Sequence, residues 1–360
     1  MKNRTYFTNP LIAAMLLVFV FIAASCQKTA QPEVKNIILL IGDGMGLAQV
    51  HAAMTLSKSP LNLERAQFIG LSKTHSASNY ITDSGAGGTA LSTGKKTKNK
   101  RIALDTAGNK LKTIVEYAEE NHKATGIVVT SSLTHATPAS FVAHQKSRNM
   151  EVEIARDFVK TEVDVLIGGG SKIFDSLKLS SVFSEKGYQV CYHIDSIDID
   201  NTGNIACFAA ENHMPPMSSG RADYLPRSVE LALKKLTKNE NGFFLMVEGS
   251  QIDWGGHGND IEYVVSEVID FDLAVGKAMD FADKNPGTLV IVTADHETGG
   301  LSITDGNLSK NHVETYFTST DHTGIMVPVY TYGTGAAAFS EIMQNTGIFD
   351  KMMLAFGFEK

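Results

Sequence analysis

The chain has 360 residues, of which 43% are hydrophobic, and its formal net charge is −7. Its basic residues are scattered, and their tight cluster at 95–101 is short and lacks interleaved aromatic residues, so we expect no nucleic-acid-binding surface. The length is large for one domain, yet α/β proteins of this size are often single units. No repeat, low-complexity tract or linker divides the chain.

The N-terminus has the pattern of a signal peptide. Lys2 and Arg4 precede an apolar run at 11–24 that is too short for a comfortable membrane span and closes in "AASC" at Cys26. The small residues before Cys26 resemble a bacterial lipobox, which predicts a lipidated cysteine as the first mature residue. The alternative is ordinary secretion with cleavage nearby. Either way, we expect a cell-envelope protein, periplasmic or anchored as a lipoprotein.

These features divide the chain into three parts. Residues 1–25 are the predicted signal peptide, residues 26–34 are polar and contain a proline, which is typical of a tether, and residues 35–360 form the predicted catalytic domain. Cys191 and Cys207 are the remaining cysteines, and in an oxidising envelope they can form one disulfide. The sequence does not tell whether the two thiols meet.

Two elements open the predicted domain. The apolar run "NIILLI" (36–41) predicts a buried strand that ends at "GDGMG". In "YITDSGAGGTALSTGKK" (80–96), β-forming residues lead into a glycine-rich turn that leaves Ser84 uncovered. A helix that starts there would direct free N–H groups at a bound anion. The alternative for this stretch alone is a helix cap, in which Asp83 or Ser84 accepts a first-turn N–H.

Two familiar motifs do not fit this stretch. A phosphate-binding P-loop has four residues between its glycine and Gly-Lys, whereas five separate Gly88 from Gly94. A hydrolase nucleophile elbow has glycine two positions before and after the serine, and those positions hold Thr82 and Ala86. A Ser-His-Asp triad is therefore not the default interpretation.

Further apolar runs alternate with amphipathic helical patterns such as those at 111–121 and 266–285. We interpret the runs as buried parallel strands, and the alternation predicts a doubly wound α/β sheet. Ligands of such sheets bind beyond the carboxyl ends of the strands. The later runs are "GIVVT" (126–130), "VDVLIG" (163–168), "FFLMV" (243–247), "TLVIVT" (288–293) and "MVPVYTY" (326–332).

Carboxylates and imidazoles flank these strand ends. Each alone has an ordinary explanation, as a turn residue, a loop hydrogen bond or a buried histidine, but five loops that supply such groups to one sheet edge indicate a metal site. Oxygen ligands mixed with imidazole suit zinc and magnesium. The residues are Asp43, His135, Thr137, Glu248, Asp253, His257, Asp295, His296 and His322. The other histidines, assigned no function, are His51, His75, His122, His144, His193, His213 and His312.

Seven segments together resemble the successive active-site motifs of the alkaline phosphatases, in that family's order. The resemblance runs from residue 36 to residue 332. It implies a single three-layer α/β/α domain with a mostly parallel, ten-stranded central sheet. The segments are "IGDGMG", "TDSGAGGTALSTG", "THATPASF", "QKSRNM", "VEGSQIDWGGHGND", "TADHETGG" and "DHTG".

The resemblance also implies roles for individual residues. Ser84 is the implied nucleophile and Arg148 the phosphate clamp. Two zinc ions and one magnesium ion are the implied cofactors. The implied ligands are Asp253, His257 and His322 for one zinc, Asp43, Asp295 and His296 for the other, and Asp43, Thr137 and Glu248 for magnesium, with His135 at the edge of that third site.

The implied activity is hydrolysis of phosphate monoesters through a covalent phosphoserine, with broad specificity suited to phosphate scavenging. A phosphodiesterase or a sulfatase is the alternative within the same broad superfamily, although no sulfatase modification motif surrounds Ser84. A non-catalytic phosphate-binding lipoprotein is an alternative of another class. Such a binding protein would not need six zinc ligands, and this argues against it.

The chain also departs from the family pattern. The best-known bacterial members carry aspartate in place of His135 and lysine in place of Trp254, a residue that we expect to help determine phosphate binding or to pack its loop. Only the 25 residues 297–321 separate two predicted zinc ligands, so the crown-like insertion of many relatives is expected to be missing. By analogy with that family we expect a homodimer. The motifs do not specify which phosphate ester is the natural substrate.

Overall fold

The computed structural model describes Met1 and residues 33–359. The predicted signal peptide beyond Met1, the predicted lipidation site at Cys26 and the predicted tether up to residue 32 lie outside these described residues. Val34, at the end of the predicted tether, is 7% exposed and packs into the core. No helix in the described part has both the length and the hydropathy needed to cross a bilayer.

A ten-stranded sheet forms the centre of residues 33–359, in the order β14-β2-β13-β8-β1-β7-β3-β4-β6-β5. Two small two-stranded sheets accompany it. The strands are β1 (Asn36–Gly42), β2 (Phe68–Lys73), β3 (Ala124–Ser132), β4 (Val165–Gly169), β5 (Gln189–Cys191), β6 (Ile205–Phe208), β7 (Phe243–Gly249), β8 (Thr288–Thr293), β9 (Glu297–Thr298), β10 (Leu301–Asn307), β11 (His312–Phe317), β12 (His322–Thr323), β13 (Val327–Gly333) and β14 (Ile342–Gln344).

Helices cover both faces of this sheet. The α-helices are α1 (Leu47–Leu56), α2 (Ser84–Thr93), α3 (Ile114–Glu120), α4 (Ala136–Val142), α5 (Glu151–Phe158), α6 (Ser171–Ser176), α7 (Leu179–Glu185), α8 (Tyr224–Leu236), α9 (Ile252–His257), α10 (Ile261–Lys284) and α11 (Asn345–Phe356).

Strand β1 shows why the architecture has three layers. Ile37 and Leu39 point into the core shared with α2, α3 and α11, whereas Ile38 and Leu40 point into the core shared with α1, α8 and α10. All seven residues of β1 are buried. A strand covered on both faces reads as a continuous apolar run rather than an alternating one, and this is the pattern that the sequence displays.

Strand β13 corrects one prediction. The run at 326–332 was interpreted as a parallel strand, but β13 is antiparallel to both β8 and β2, while the other seven neighbouring pairs of the sheet are parallel. An apolar run indicates burial and not direction. The chain enters β13 from β12, which lies beyond the carboxyl end of β8, and therefore runs back across the sheet.

The interval between His296 and His322 is occupied by a small hairpin, in which β10 and β11 pair antiparallel. On the far edge of the main sheet, β5 and β6 pair in parallel and place Cys191 opposite Cys207. The two thiols therefore meet, which the sequence left open, and both cysteines are free and buried.

Candidate active site

The predicted ligands converge at the carboxyl edge of the sheet. Asp43 directly follows β1, Glu248 lies in β7, and Asp295 and His296 follow β8. Gly44 turns the chain after Asp43 with φ +72°, and a Cβ added there would lie 2.8 Å from the Cα of Asp253. This close approach brings the end of β1 against α9.

Three sets of side chains at this edge could each hold a metal ion. In every set, one ligand atom per residue lies within 4.8 Å of the others. Two of these sets have the same residues as the zinc sites that the resemblance implied, and the third shares Asp43 and Glu248 with the implied magnesium site but has His135 in place of Thr137. Site 1 is Asp253, His257 and His322; site 2 is Asp43, Asp295 and His296; site 3 is Asp43, Glu248 and His135.

Site 1 is built from α9 and β12. Asp253 and His257 are four residues apart and therefore share one side of the helix. The Nε2 atom of His257 lies 3.4 Å from Asp253 Oδ1, and that of His322 lies 3.5 Å from the same oxygen. The two Nε2 atoms are 3.2 Å apart.

The protonation of site 1 follows from its outer contacts. His322 Nδ1 lies 2.9 Å from the carbonyl oxygen of Thr82, and His257 Nδ1 contacts the carbonyl oxygen of Thr320. A carbonyl can only accept, so Nδ1 is the donor in each ring and Nε2 is the nitrogen that is left to offer a lone pair. Two lone pairs and a carboxylate oxygen then face one another, an arrangement that a bound cation would stabilise.

Site 2 is completely buried. His296 Nε2 lies 3.4 Å from Asp43 Oδ1 and 3.2 Å from Asp295 Oδ2. Among the described residues, neither of these oxygens has a hydrogen-bond donor. Burial raises the pKa of Asp43 well above its usual range, with the charge of Asp295 as the next cause, and burial lowers the pKa of His296 well below its own. Buried carboxylates without donors are costly unless a cation compensates them, so this donor set also fits a metal.

Site 3 offers mainly oxygen. Thr137 Oγ1 donates to Asp43 Oδ2 at 3.3 Å, and Ser250 donates to Glu248 Oε2 at 2.6 Å. Glu248 Oε1 has no donor within the described part of the chain, and burial raises the pKa of this carboxyl to about 7. Such oxygens suit magnesium.

His135 lies between site 3 and Arg148. Its Nε2 is 3.2 Å from Arg148 Nη2, and a guanidinium only donates, so this nitrogen can hold the arginine in place. Its Nδ1 is buried and has no hydrogen-bond partner among the described residues, and His135 belongs to the metal-capable set with Asp43 and Glu248. A neutral imidazole at this position adds no negative charge to site 3.

Ser84 is the first residue of α2. Asp83 is the N-cap, and its Oδ1 accepts the N–H of Ala86 at 3.1 Å, so the capping role falls to Asp83 and leaves the Ser84 hydroxyl directed at the site. Ser84 Oγ lies 3.3 Å from His296 Nε2 of site 2 and 3.4 Å from Arg148 Nη1.

Arg148 is held in place at three points. Its backbone N–H donates to the carbonyl of Lys100 at 2.7 Å, Nη1 lies 3.3 Å from Asp83 Oδ2, and Nη2 contacts His135. The guanidinium therefore stands beside Ser84 with its orientation fixed. A planar fork in that place suits two oxygens of a phosphate.

Trp254 and His213 form an aromatic cluster with His135. The Trp254 ring lies edge-on to His213 at 4.8 Å between centroids and to His135 at 6.2 Å. His213 Nδ1 accepts the N–H of Ser132 at 2.9 Å, which fixes its ring. No pattern in the sequence marked His213 as part of the site, because it lies in an irregular loop after β6. A cavity of about 440 Å³ opens beside His135 and His213.

Comparisons with known proteins identify one family that this chain is similar to. The alkaline phosphatase family model matches residues 34–314. Alkaline phosphatase 3 of Bacillus subtilis is 42% identical over 297 residues, which cover 77% of this chain and 64% of that relative, so the match spans less than two thirds of the relative's length.

Solved structures give the same result. The alkaline phosphatase from the Antarctic bacterium TAB5 superposes with a TM-score of 0.87 at 38% identity, covering 92% of this chain and all of that one. A variant of the TAB5 enzyme in which a histidine is replaced by aspartate, with Mg bound in the M3 site, also has a TM-score of 0.87, at 37% identity and the same coverage.

Proposed function

The chain belongs to the alkaline phosphatase family, and on that basis we propose that it hydrolyses phosphate monoesters through a covalent phosphoserine at Ser84. The observation that carries the proposal is the position of the Ser84 hydroxyl, between His296 of site 2 and the guanidinium of Arg148. Family membership supports the reaction class, and this geometry supports the role of the serine.

The proposed cofactors are zinc in sites 1 and 2 and magnesium in site 3. Imidazole with carboxylate is a zinc donor set, whereas Asp43, Thr137 and Glu248 offer the oxygens that magnesium prefers. The bound ions would supply positive charge that lowers the pKa of a hydroxyl or a water and stabilises the departing oxygen. The magnesium-bound TAB5 variant supports a third metal site at the corresponding place.

The chain's own residues bind and orient the phosphate. Arg148 would donate two parallel hydrogen bonds to it, and the free N–H groups at the start of α2 would donate others. Ser84 would give up its hydroxyl proton and form the Oγ–phosphorus bond, while the bond from phosphorus to the ester oxygen breaks on the opposite side and that oxygen takes a proton to leave as an alcohol. Water would then attack phosphorus and break the Oγ–phosphorus bond, and the serine oxygen would regain a proton as phosphate leaves. The guanidinium stays aligned throughout because Asp83 and His135 hold it.

Mapping the covalent adduct tests the mechanism. After incubation with inorganic phosphate at mildly acid pH, mass spectrometry should find phosphate on the peptide that contains Ser84. Ser84→Ala should abolish both the adduct and turnover. The control is Ser266→Ala, because that hydroxyl contacts only its own helix at the carbonyl of Tyr263. Full activity of Ser84→Ala, or an adduct elsewhere, would refute the mechanism.

Substrate preference separates this function from its alternatives. Arg148 and the N-terminus of α2 are placed to recognise the phosphate and do not select for the alcohol part of the ester. This supports broad specificity and a scavenging role. Initial rates with a phosphate monoester, a diester and a sulfate ester, each with and without a chelator, should favour the monoester and require metal. Faster diester or sulfate turnover would favour another branch of the superfamily, and phosphate binding without turnover would favour a binding protein.

Two further proposals concern location and assembly. We propose that Cys26 is lipidated and that the enzyme works in the cell envelope, supported by the signal-like N-terminus. Incorporation of a labelled fatty acid should disappear in Cys26→Ala. We also propose a homodimer, because members of the family are commonly homodimers. Light scattering of the purified enzyme should give twice the chain mass, and a monomer mass would reject the dimer.

A further inference from the structure

Thr298 lies between site 1 and site 2. Its side chain is fully buried, and its Oγ1 is hydrogen-bonded to Asp253 Oδ1 of site 1 and lies 3.2 Å from His296 Nδ1 of site 2. Thr298 lies within the segment "TADHETGG", but the resemblance assigned it no role. It therefore contacts one predicted ligand of each zinc site without belonging to either.

The direction of the two hydrogen bonds follows from the chemistry of the partners. A carboxylate can only accept, so the single hydroxyl proton of Thr298 goes to Asp253. The Thr298 oxygen then accepts from His296, which places a proton on Nδ1 and leaves the lone pair on Nε2. That Nε2 is the atom facing Asp43 Oδ1 and Asp295 Oδ2.

The same hydrogen bonds also orient site 1. Asp253 Oδ1, the acceptor of the threonine proton, is the oxygen that faces the Nε2 atoms of His257 and His322. The histidines of site 1 are oriented by backbone carbonyls, whereas His296 is oriented by this side chain. A change at Thr298 therefore reaches both sites.

Packing fixes the rotamer of Thr298. A Cβ added at Gly44 would lie 2.7 Å from Thr298 Oγ1, and one added at Gly256 would lie 2.9 Å from Thr298 Cβ. The Thr298 N–H donates to the carbonyl of Gly44 at 3.1 Å, and Thr298 pairs with His322 between β9 and β12. Two glycines next to predicted ligands thus form a slot for this one side chain.

We propose that Thr298 is a positioning residue that couples the two zinc sites, so that ordering of Asp253 and ordering of His296 depend on the same hydroxyl. The inference rests on sites 1 and 2 binding zinc as proposed above. Residues that orient metal ligands from behind typically affect metal affinity by about 10- to 100-fold. Both sites should therefore weaken together when the hydroxyl is lost.

The test measures zinc binding directly. Stepwise zinc affinities of the metal-free protein are obtained by competition with a chromophoric chelator, and the cobalt-substituted protein is followed by its visible absorption. Thr298→Val should weaken both zinc affinities about 10- to 100-fold and change the cobalt spectrum, whereas Thr298→Ser, which keeps the hydroxyl, should remain within about threefold of wild type.

The matched control is Thr331→Val. Thr331 is also a buried threonine, but it lies in β13, and its hydroxyl donates to the carbonyl of Ala336 at 2.9 Å. The Thr331→Val variant should keep wild-type zinc affinities even if its melting temperature is lower. If Thr298→Val does not fold, Thr298→Ala removes the hydroxyl without adding a methyl group in its place.

Two results would overturn the coupling: unchanged affinities in the folded hydroxyl-free variant, or a loss confined to one site. Equal losses in Thr298→Val and Thr298→Ser would show that packing and not the hydroxyl matters, which also overturns it. Failure of the wild-type protein to bind zinc at all would instead refute the proposed function, so the two failures are distinguishable.

Discussion

Both edges of the central sheet carry carboxylates with restricted access to solvent, which are partly buried at the amino edge and fully buried at the carboxyl edge, and the two edges satisfy them differently. At the amino edge, Asp164 precedes β4 and its Oδ2 accepts the N–H of Thr125 at 2.8 Å, while Glu119 lies 3.4 Å from the Thr125 hydroxyl. At the carboxyl edge, oxygens of Asp43 and Asp295 face His296 and lack a donor among the described residues.

Raised pKa values are common to both edges. Burial raises the pKa of Asp164 and raises that of Glu119 to about 7, just as burial raises the pKa of Asp43 and Asp295 at the other edge. A perturbed carboxylate is therefore not evidence of a metal site by itself. What distinguishes the carboxyl edge is the presence of imidazole lone pairs, held in place by their other ring nitrogen, next to oxygens without donors.

The largest expected effect contrasts one aspartate from each edge. Asp295→Asn should lower kcat/KM by at least about 10³-fold, because the metal it helps to hold contributes several kcal/mol of transition-state stabilisation. Asp164→Asn should remain within about twofold, since asparagine can still accept the Thr125 N–H. Rates with a chromogenic monoester and zinc content of both variants measure this. A large loss in Asp164→Asn with normal folding would erase the distinction between the edges.

Removal of the metal ions tests the difference between the two edges through the stability of the folded protein. Ligands that bind only the folded state stabilise it by about 4 kcal/mol when present at 1,000 times their dissociation constant. Chelation should therefore lower the melting temperature of wild type and of Asp164→Asn alike and abolish their turnover, and zinc with magnesium should restore both quantities.

In Asp295→Asn, chelation should have a smaller effect on melting, because one site is already impaired. Calorimetry with elemental analysis checks this expectation. Undiminished activity of wild-type protein that is shown to be metal-free would overturn the metal assignment of all three sites.

The sequence predicted the carboxyl edge better than the rest of the fold, for a physical reason. Asp43 and Asp295 directly follow apolar runs, and parallel strands bring their carboxyl ends to one edge, so the chain position indicates the place in space. Strands β5 and β14 have three residues each, too short for a periodic pattern. Thr298 contacts Asp253 and His213 contacts Ser132, partners that are 45 and 81 residues away, and no local pattern encodes such contacts.

The next prediction concerns the amino edge and pH. Glu119 has a folded pKa of about 7 against an ordinary 4.5, chiefly through burial and then through the charge of Asp164. Between these values the folded protein holds a proton that the unfolded chain has released, so stability falls as pH rises from about 4.5 to 7 and the full cost persists above it. Glu119→Gln removes this cost and keeps an oxygen that can accept from Thr125.

Glu119→Gln should therefore unfold like wild type at pH 4 and be more stable at pH 8 by about 3 kcal/mol, given 1.36 kcal/mol per pKa unit between 4.5 and about 7. Urea denaturation at the two pH values measures the difference, and activity should not change. Equal stability of the two proteins at pH 8 would show that the Glu119 carboxylate is well solvated and that burial at the amino edge costs little.

The smallest expected effect returns to the carboxyl edge, at His135 and Trp254. His135 Nε2 faces Arg148 and its buried Nδ1 has no hydrogen-bond partner among the described residues, so a neutral ring stands between the arginine and site 3. A carboxylate there has two oxygens and carries a negative charge, and it can face both. Aspartate at position 135 should therefore restore the missing negative charge of site 3 without releasing Arg148, and lysine at position 254 would add a cation near the phosphate.

In the double variant, His135→Asp with Trp254→Lys, we expect tighter magnesium binding and stronger inhibition by inorganic phosphate, each by about 1 to 2 kcal/mol, the worth of a charged hydrogen bond. Magnesium titration of activity and phosphate inhibition constants measure the two effects, and each single variant assigns its share. Because Trp254 packs edge-on against His213 and His135, its replacement also loosens that cluster, so His213→Ala is the control for loosening alone. If both quantities stay at wild-type values, His135 and Trp254 are packing residues, and the charge deficit of site 3 has no effect on phosphate release.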